Sequence, residues 1–439
     1  MNLINMPGWT VTGTKANKDD YCVSATYDSG GTPSCAKCST LFSKVYRHGS
    51  RQQTIMDLPA HGKRVGIDLN RKRYRCQNCE STFLQDLPDV DERSQMTRRL
   101  ARYIEEQSVR RTFTSIADEV GVDEKTVRNL FRAYVERLDA EVCFETPERM
   151  GMDEVHLLKK PRAVFTNLTE ATIIAVLPER TKKVVLAHLK TIADREKVKV
   201  VTMDMWKPYA DSVREAMPGA AIVVDKFHVV RMASQAMEVV RKAQRGALEA
   251  KFRRKLMHDR FILLRRLKDL DDEQKATMEG WFVQFPKLKQ AYELKESFYG
   301  LWDIPKKEDA VTAYSEWERS ITDTELLTAY RPLLTAMANW RSEIFAYWDH
   351  KATNALTESL NGVAKSVQRA GRGYSFDAIR AKMLYSKHLQ KTARRPKYNA
   401  EVMERDIQFS AAGDDFPASL GTDITRLLES LDHEATKRE

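Results

Sequence analysis

The chain has 439 residues, 42% hydrophobic and 31% charged. That balance belongs to folded globular proteins, and the length exceeds one ordinary core, so two or more domains are expected. No run approaches the roughly 18 uncharged apolar residues that a bilayer span requires, and no basic-then-apolar leader opens the sequence. A cytoplasmic location with reduced thiols and no membrane partner is therefore expected. Lys and Arg outnumber Asp and Glu by 72 to 62, a formal charge of +10, which favours a polyanionic partner without naming one.

Four of the six cysteines form two C-x-x-C pairs, Cys35/Cys38 and Cys76/Cys79. Each pair can offer two thiolates to one ion, and two pairs complete a tetrahedral Zn²⁺ site. The 37 intervening residues exceed the commoner spacing of about 15–20, which leaves room for a small hairpin. A redox motif would occur once, near a βαβ pattern, and neither condition is met. The stretch Lys63–Arg75 carries Lys63, Arg64, Arg71, Lys72, Arg73 and Arg75 against one acid, Asp68, while Val65, Ile67 and Leu69 alternate along it. It reads as a basic hairpin strand feeding the second cysteine pair, either a DNA-backbone contact or an edge strand protected by charge. Residues 1–90 are assigned to this zinc-ribbon module.

Residues 91–145 read as a helix-turn-helix. Phe113, Ile116, Ala117 and Val120 share one helix face, Gly121 marks the turn, and Val127, Leu130, Phe131 and Tyr134 form the inner face of a second helix. That second helix offers Lys125, Thr126, Arg128 and Asn129 to a major groove, although an ordinary helical hairpin has the same pattern.

From about residue 150 the texture changes. Met150–Leu157, Arg162–Leu168 and Ala171–Leu177 read as strands, Lys182–Leu189 as a helix, Lys197–Met203 as a buried strand, Lys207–Met217 as a helix and Ala220–Val224 as a strand. Three strands, helix, strand, helix, strand is the element order of an α/β RNase H-like domain. Asp153 lies in the first strand, Asp204 ends the fourth and Asp225 follows the fifth. The first and fourth strands are neighbours in that fold, so two carboxylates meet there. Such a pair suits a hard cation, Mg²⁺ or Mn²⁺, and two ions about 3.5–4 Å apart can clamp a phosphoryl transfer. Far along the chain, Asn354, Glu358, Asn361 and Lys365 follow one another at helical spacing on one face. That polar face suits a third metal ligand flanked by groups that orient phosphate.

Taken together, the paired C-x-x-C ribbon with YRCQNC, the helix-turn-helix, GMDEVH, VTMDMWKPYADSV, VVDKFHVVR and TNALTESLNGVAK resemble the DDE-class insertion-sequence transposases, in particular the ISL-three family. The resemblance runs over roughly residues 30–395. It implies metal-dependent DNA strand cleavage and strand transfer, with Asp153, Asp204 and Glu358 as the catalytic acids. Asp225 is the rival second acid, and Asp225-Lys226-Phe227-His228 looks like the D-x-x-H element of related transposases, with His228 positioning DNA or holding the site together. It also implies double-stranded DNA partners, the element's terminal inverted repeats and a target, a homodimer or larger assembly on DNA, and a bacterial, nucleoid-associated location. A DNA-binding regulator without catalysis, or a nuclease that cuts without joining, are the readings kept beside it.

Between Asp225 and Glu358 lie 132 residues of helical character, more than a compact RNase H unit needs. The core is therefore split, 146–230 and 351–398, around an all-helical insertion, 231–350, with a polar tail at 399–439. Within 231–268, twelve basic residues face three acids; Phe252, Leu256, Phe261, Leu263 and Leu264 are expected to form its buried face. The Trp residues from Trp281 onward are expected to build the insertion's core. After the acid-bearing helix, Gly371-Arg372-Gly373-Tyr374 is expected to be a flexible turn by which the backbone approaches DNA. Asn354, Asn361, Lys365, Arg369 and Arg372 are the candidate DNA contacts there.

Overall fold

The structure is a computed structural model that describes residues 4–30, 34–35, 37–38, 45–245 and 248–386. The end of the second core part, 387–398, and the proposed tail at 399–439 lie outside the described residues.

The N-terminal part is a seven-stranded sheet. Strands β1 (Trp9–Ala16) and β2 (Asp20–Tyr27) form one hairpin; β3 (Val45–Ala60) and β4 (Lys63–Cys76) form a longer one; β5 (Thr82–Leu84), β6 (Val90–Asp91) and β7 (Met96–Thr97) are short. The order is β1-β2-β4-β3-β7-β6, with β5 also paired to β4. Ala60 pairs with Lys63 across His61-Gly62, both at positive φ (54° and 73°), the backbone that a two-residue hairpin loop requires. The alternation at Val65, Ile67 and Leu69 turns those side chains onto Trp9, Val23, Ala25 and Ile55. Sequence periodicity had shown the β3–β4 hairpin but not β1 and β2.

Three of the strand's six basic residues are paired with acids among the described residues, and two more bond neutral oxygens. Arg64 pairs with Asp20 at 2.7 Å, Arg75 with Glu80 at 3.0 Å, and Lys63 donates to the Asn17 carbonyl. Arg73 donates to Thr82 at 3.1 Å. Arg71 corrects the expectation of a DNA contact: it is buried, with Nε donating to the Gln85 carbonyl at 2.6 Å and its guanidinium paired to Glu92. A buried arginine with its fork occupied is a clamp on the loop after β5.

Helices α1 (Arg98–Ser108), α2 (Phe113–Val120) and α3 (Glu124–Glu141) follow. Thr97, Thr112 and Asp123 accept hydrogen bonds from the first-turn amides and cap them. Gly121 ends α2 at φ +75°, and a Cβ there would meet the Arg64 side chain at 2.8 Å. The turn is therefore seated on the ribbon hairpin. Phe113, Ile116, Ala117, Val120, Val127 and Phe131 are buried as the periodicity required.

The second sheet comprises β8 (Arg149–Leu157), β9 (Lys160–Asn167), β10 (Thr172–Val176), β11 (Val200–Met203) and β12 (Ala221–Val224) in the order β10-β9-β8-β11-β12. The first three are antiparallel; β8, β11 and β12 are parallel. Helices α4 (Lys182–Thr191) and α5 (Lys207–Ala216) make the crossovers, and α5 opens with Pro208.

Among the described residues eight α-helices then run without a strand: α6 (Lys226–Arg245), α7 (Ala250–His258), α8 (Arg260–Leu264), α9 (Asp272–Gln284), α10 (Pro286–Gly300), α11 (Lys307–Ser320), α12 (Thr324–Asn339) and α13 (Arg341–His350). Trp281, Trp317, Trp340 and Trp348 are buried among them with Phe282, Tyr314 and Tyr330. Leu256 and Leu263 are buried as expected, but Phe252 and Phe261 stand exposed. The short helices α7 and α8 offer too narrow an apolar stripe to seat every large side chain. No described helix is long and apolar enough to cross a membrane.

The chain returns to the sheet with α14 (Ala355–Ala370) and α15 (Phe376–Tyr385). The turn at 371–374 corrects a second expectation. Tyr374 is buried, its ring 4.8 Å from Phe113 and its hydroxyl accepting from the Phe113 amide at 3.3 Å. Beside it, buried Lys382 donates to the Ser108 carbonyl and, at 2.7 Å, to the Arg111 carbonyl. Burial pushes its ammonium down to about 7. The turn thus bolts the three-helix unit onto α15, while Lys365, Arg369 and Arg372 remain exposed.

Candidate active site and zinc centre

The four cysteines converge although their pairs are far apart in sequence. Cys35 Sγ lies 3.6 Å from Cys79 Sγ, Cys38 Sγ lies 3.7 Å from Cys76 Sγ, and all four sulfurs fall within 4.8 Å of one another. A tetrahedron with metal–sulfur bonds of about 2.3 Å has edges near 3.8 Å, so the cage fits one Zn²⁺. The Ser81 hydroxyl, 3.4 Å from Cys35 Sγ and 3.0 Å from Cys79 Sγ, holds both thiols below their usual range, Cys35 at about 6. That favours the thiolates a metal needs. Ser81 had no signal of its own in the sequence.

The acids meet at one end of the second sheet. Thr202 pairs with Gly151, and the same parallel register carried two residues on brings Asp204 beside Asp153. On the other side Met203 pairs with Val224, and the Asp225 amide donates to the Met203 carbonyl at 3.0 Å. The carboxyl ends of β11 and β12 therefore present Asp204 and Asp225 side by side. Helix α14 closes over β8. It comes close because Gly151 has no side chain: a Cβ there would lie 2.3 Å from Thr357 Oγ1 and 2.4 Å from Thr166 Oγ1. Those two hydroxyls hydrogen-bond at 2.8 Å, and Glu358 sits next to Thr357 on the helix.

The electrostatics are those of crowded, desolvated carboxylates. Burial first, and then the Asp204 charge, push Asp153 up to about 7; the Glu358 charge adds to this, while the Glu154 amide and His228 oppose it. Burial likewise pushes Asp204 up to about 6, opposed by His228 and assisted by Asp225, Glu358 and Glu154. His228 Nδ1 lies 3.0 Å from Asp204 Oδ1 and 3.6 Å from Asp225 Oδ2. The Asp225 carboxylate beside it raises the imidazole above its usual range, with burial opposing and the Asp204 charge adding. One imidazolium does not balance this much negative charge. A divalent cation does, and the all-oxygen donor set suits Mg²⁺ or Mn²⁺. Among the described residues, the set of three at this end of the sheet whose ligand atoms all lie within 4.8 Å of one another is Asp225, His228 and Glu358; Asp153 and Asp204 stand beside that set rather than in it.

The two amides of the polar helix face are internal, which corrects their assignment as DNA contacts. Asn354 is wholly buried at the start of α14. Its Nδ2 donates to the Met152 carbonyl at 3.2 Å, its Oδ1 accepts from Thr202 at 3.1 Å, and its backbone N–H donates to Asp225 Oδ1 at 3.3 Å. Asn361 Nδ2 donates to Asp153 Oδ2 at 2.7 Å, and its buried Oδ1 has no hydrogen-bond partner. The Asn361 side chain holds Asp153, whereas the Asn354 side chain ties α14 to β8 and β11 and only its backbone reaches an acid. In the three-helix unit Arg128 is likewise engaged, bonded to Glu124 at 2.6 Å and lying over the Phe113 ring, whereas Lys125 and Asn129 are exposed. Asn129 and Thr126 line a cleft of about 1320 Å³ with Arg93, Arg98, Arg102 and Arg137.

Several neighbours of the acids escaped the sequence reading. Glu154 pairs with Arg180 and with His156 at 3.1 Å. The buried Tyr209 hydroxyl has no partner, and burial and the Glu154 charge push it above its usual range. VTMDMWKPYADSV contains Tyr209, but nothing in the sequence tells it apart from any other core tyrosine, and it is buried in the core of the second sheet.

Comparison with known proteins covers the same three segments. Residues 31–79 match a family described as the zinc-finger of transposase IS204/IS1001/IS1096/IS1165. Residues 85–135 match the helix-turn-helix domain of transposase family ISL3, and residues 150–383 match the transposase domain of that family, of DDE type. The transposase for insertion sequence element IS1001 of Bordetella parapertussis is 23% identical over 77% of this chain and 85% of its own length. That for IS1557 of Mycobacterium tuberculosis is 24% identical over 53% of this chain and 58% of its own length. The four-cysteine cage is accordingly a Zn²⁺ site, and the DDE domain uses a divalent metal ion. Matched in this order along more than half its length, the chain belongs to transposase family ISL3, the DNA-binding enzymes that catalyse DNA transposition.

Proposed function

We propose that Asp153, Asp204 and Glu358 hold the divalent ions of an RNase H-like core, that residues 231–350 are an all-helical insertion in it, and that the ribbon and helix-turn-helix recognise the terminal inverted repeats. The observation that carries the reading is the packing of α14 over β8 beside β11, which gathers acids from distant parts of the chain into one desolvated cluster, where burial raises Asp153 and Asp204 and the charge of neighbouring acids adds to it. The strand order β10-β9-β8-β11-β12, three antiparallel strands continued by two parallel ones, supports the fold assignment. Asp204 is preferred to Asp225 as the second ligand because its side chain is 31% exposed against 2%, and Asp225 already anchors the Asn354 amide.

When bound, the ions polarise a phosphodiester and lower the pKa of an attacking water or 3′-hydroxyl. The protein's part is to hold and orient. Asn361 aims Asp153, Asp225 and His228 fix Asp204, and Gly151 lets α14 bring Glu358 to the sheet. Lys365, Arg369 and Arg372 on and after α14, with Lys125 and Asn129 on α3, are the exposed side chains offered to DNA. Joining two element ends requires two copies, so a homodimer or larger assembly on DNA is expected; light scattering of the protein–DNA complex tests it.

The deciding experiment is cleavage of labelled inverted-repeat ends with Mg²⁺. Glu358→Gln is expected to bind ends normally and to cut none; cutting at the wild-type rate would sink the assignment.

A further inference from the structure

Two large aromatic side chains stand in solvent beside the acids: Trp206 is 40% exposed and Phe227 54%. Each lies two residues beyond a site carboxylate, Trp206 after Asp204 and Phe227 after Asp225. Because β11 and β12 run parallel with Met203 opposite Val224, both leave the sheet at the same end. Trp206 is also held. The Arg180 guanidinium lies 4.5 Å from its ring centroid, and Arg180 is itself paired with Glu154, the neighbour of Asp153. The Trp206 amide donates to the Asp204 carbonyl at 2.7 Å, tying the ring's backbone to the acid. Phe227 meets the His228 ring edge-on, centroids 6.0 Å apart.

A tryptophan braced by a cation–π contact but left in water forgoes burial that the neighbouring core could supply. The substrate here is DNA, and the partner a flat ring finds beside a phosphodiester is the face of a nucleobase. A base inside a duplex has both faces covered by its neighbours, so the stacked base must be unpaired.

We propose that Trp206, braced by Arg180, is a positioning residue that stacks on an unpaired base next to the phosphodiester being cut, with Phe227 forming a second aromatic surface there, so that the enzyme acts on a locally opened DNA end. This rests on the acids at 153, 204 and 358 being the reaction centre.

The test uses the full-length zinc-loaded protein and inverted-repeat DNA carrying 2-aminopurine, in turn, at each nucleotide flanking the cut. Fluorescence is read without added Mg²⁺, so the signal does not depend on which residues hold ions. One position is expected to change on binding, to lose that change in Trp206→Ala and to keep it in Trp206→Phe. With Mg²⁺, Trp206→Ala should cut paired ends roughly ten- to a hundredfold more slowly and should recover when that base is supplied mismatched. Trp206→Phe should stay near wild type. Unchanged cutting of paired ends by Trp206→Ala, or a defect that a mismatch does not relieve with no 2-aminopurine change at any position, overturns the proposal. Failure of the acid assignment is seen separately, as cleavage by Glu358→Gln.

Discussion

Asn361 donates a 2.7 Å hydrogen bond to Asp153 across 208 residues of chain. The bond fixes which oxygen of Asp153 faces the other acids, and it is buried, so water cannot replace it. Asn361→Ala leaves a buried acceptor unsatisfied, expected to cost about 1–3 kcal/mol of stability, and to slow cleavage with end binding intact. Asn361→Asp adds a carboxylate against one already raised to about 7 and should be the worse variant. Thermal melts and cleavage rates, measured side by side, check the ranking.

Gly151 admits α14 to the sheet. In Gly151→Ala the new methyl meets two hydroxyl oxygens at 2.3 and 2.4 Å, so the helix bearing Glu358 must shift outward. Overpacking of this kind is expected to lower stability by about 1–3 kcal/mol and to abolish cleavage. Cleavage by a fully folded Gly151→Ala at the wild-type rate would show that the close approach is dispensable.

Asp204 and Asp225 should separate by what else they do. Asp204→Asn is expected to lose cleavage and keep its melting temperature. Asp225→Asn weakens the bond to the Asn354 amide and the support of His228, so it should lose stability together with activity. Strand cleavage and calorimetry on both variants decide; cleavage surviving in Asp204→Asn would transfer the second-ligand role to Asp225.

The raised carboxyls make metal binding and stability depend on pH in opposite directions. Asp153 at about 7 and Asp204 at about 6 must lose protons to hold a cation. Apparent Mg²⁺ affinity should climb as pH rises through 6 to 7 and level off above, as calorimetric titration would show. Without Mg²⁺ the folded state holds these protons more tightly than the unfolded chain does. Stability should therefore be fully present below the ordinary carboxyl value of 3.8 and fall as pH rises toward 7. Asp153→Asn should flatten that fall.

Zinc removal should act locally. Cys79→Ser breaks the cage, so metal analysis should find the zinc lost and end binding sharply weakened. Helix α15 and the turn before it, bonded to the three-helix unit through Lys382 and Tyr374 respectively, should preserve that unit and the catalytic core, so near-wild-type melting of the remainder is the expected outcome.

Much of this protein was written in local pattern. The C-x-x-C pairs, the Gly121 turn between two apolar faces, and the Val-rich runs ending in Asp204 and Asp225 each mark an element from its own residues, because side-chain chemistry and backbone period act over a few positions. Tertiary structure alone decided what the polar residues do. Asn354, Asn361 and Arg71 looked like ligands for DNA and turned out to be internal braces; Tyr374 looked like part of a flexible turn and is a bolt. Glu154, Arg180, Trp206 and Tyr209 gave no periodic signal, yet they surround the acids. The reason is physical: hydrophobic spacing records which face is buried, but a hydrogen bond or ion pair depends on the one partner that folding brings within about 3 Å, and that partner lies elsewhere in the chain.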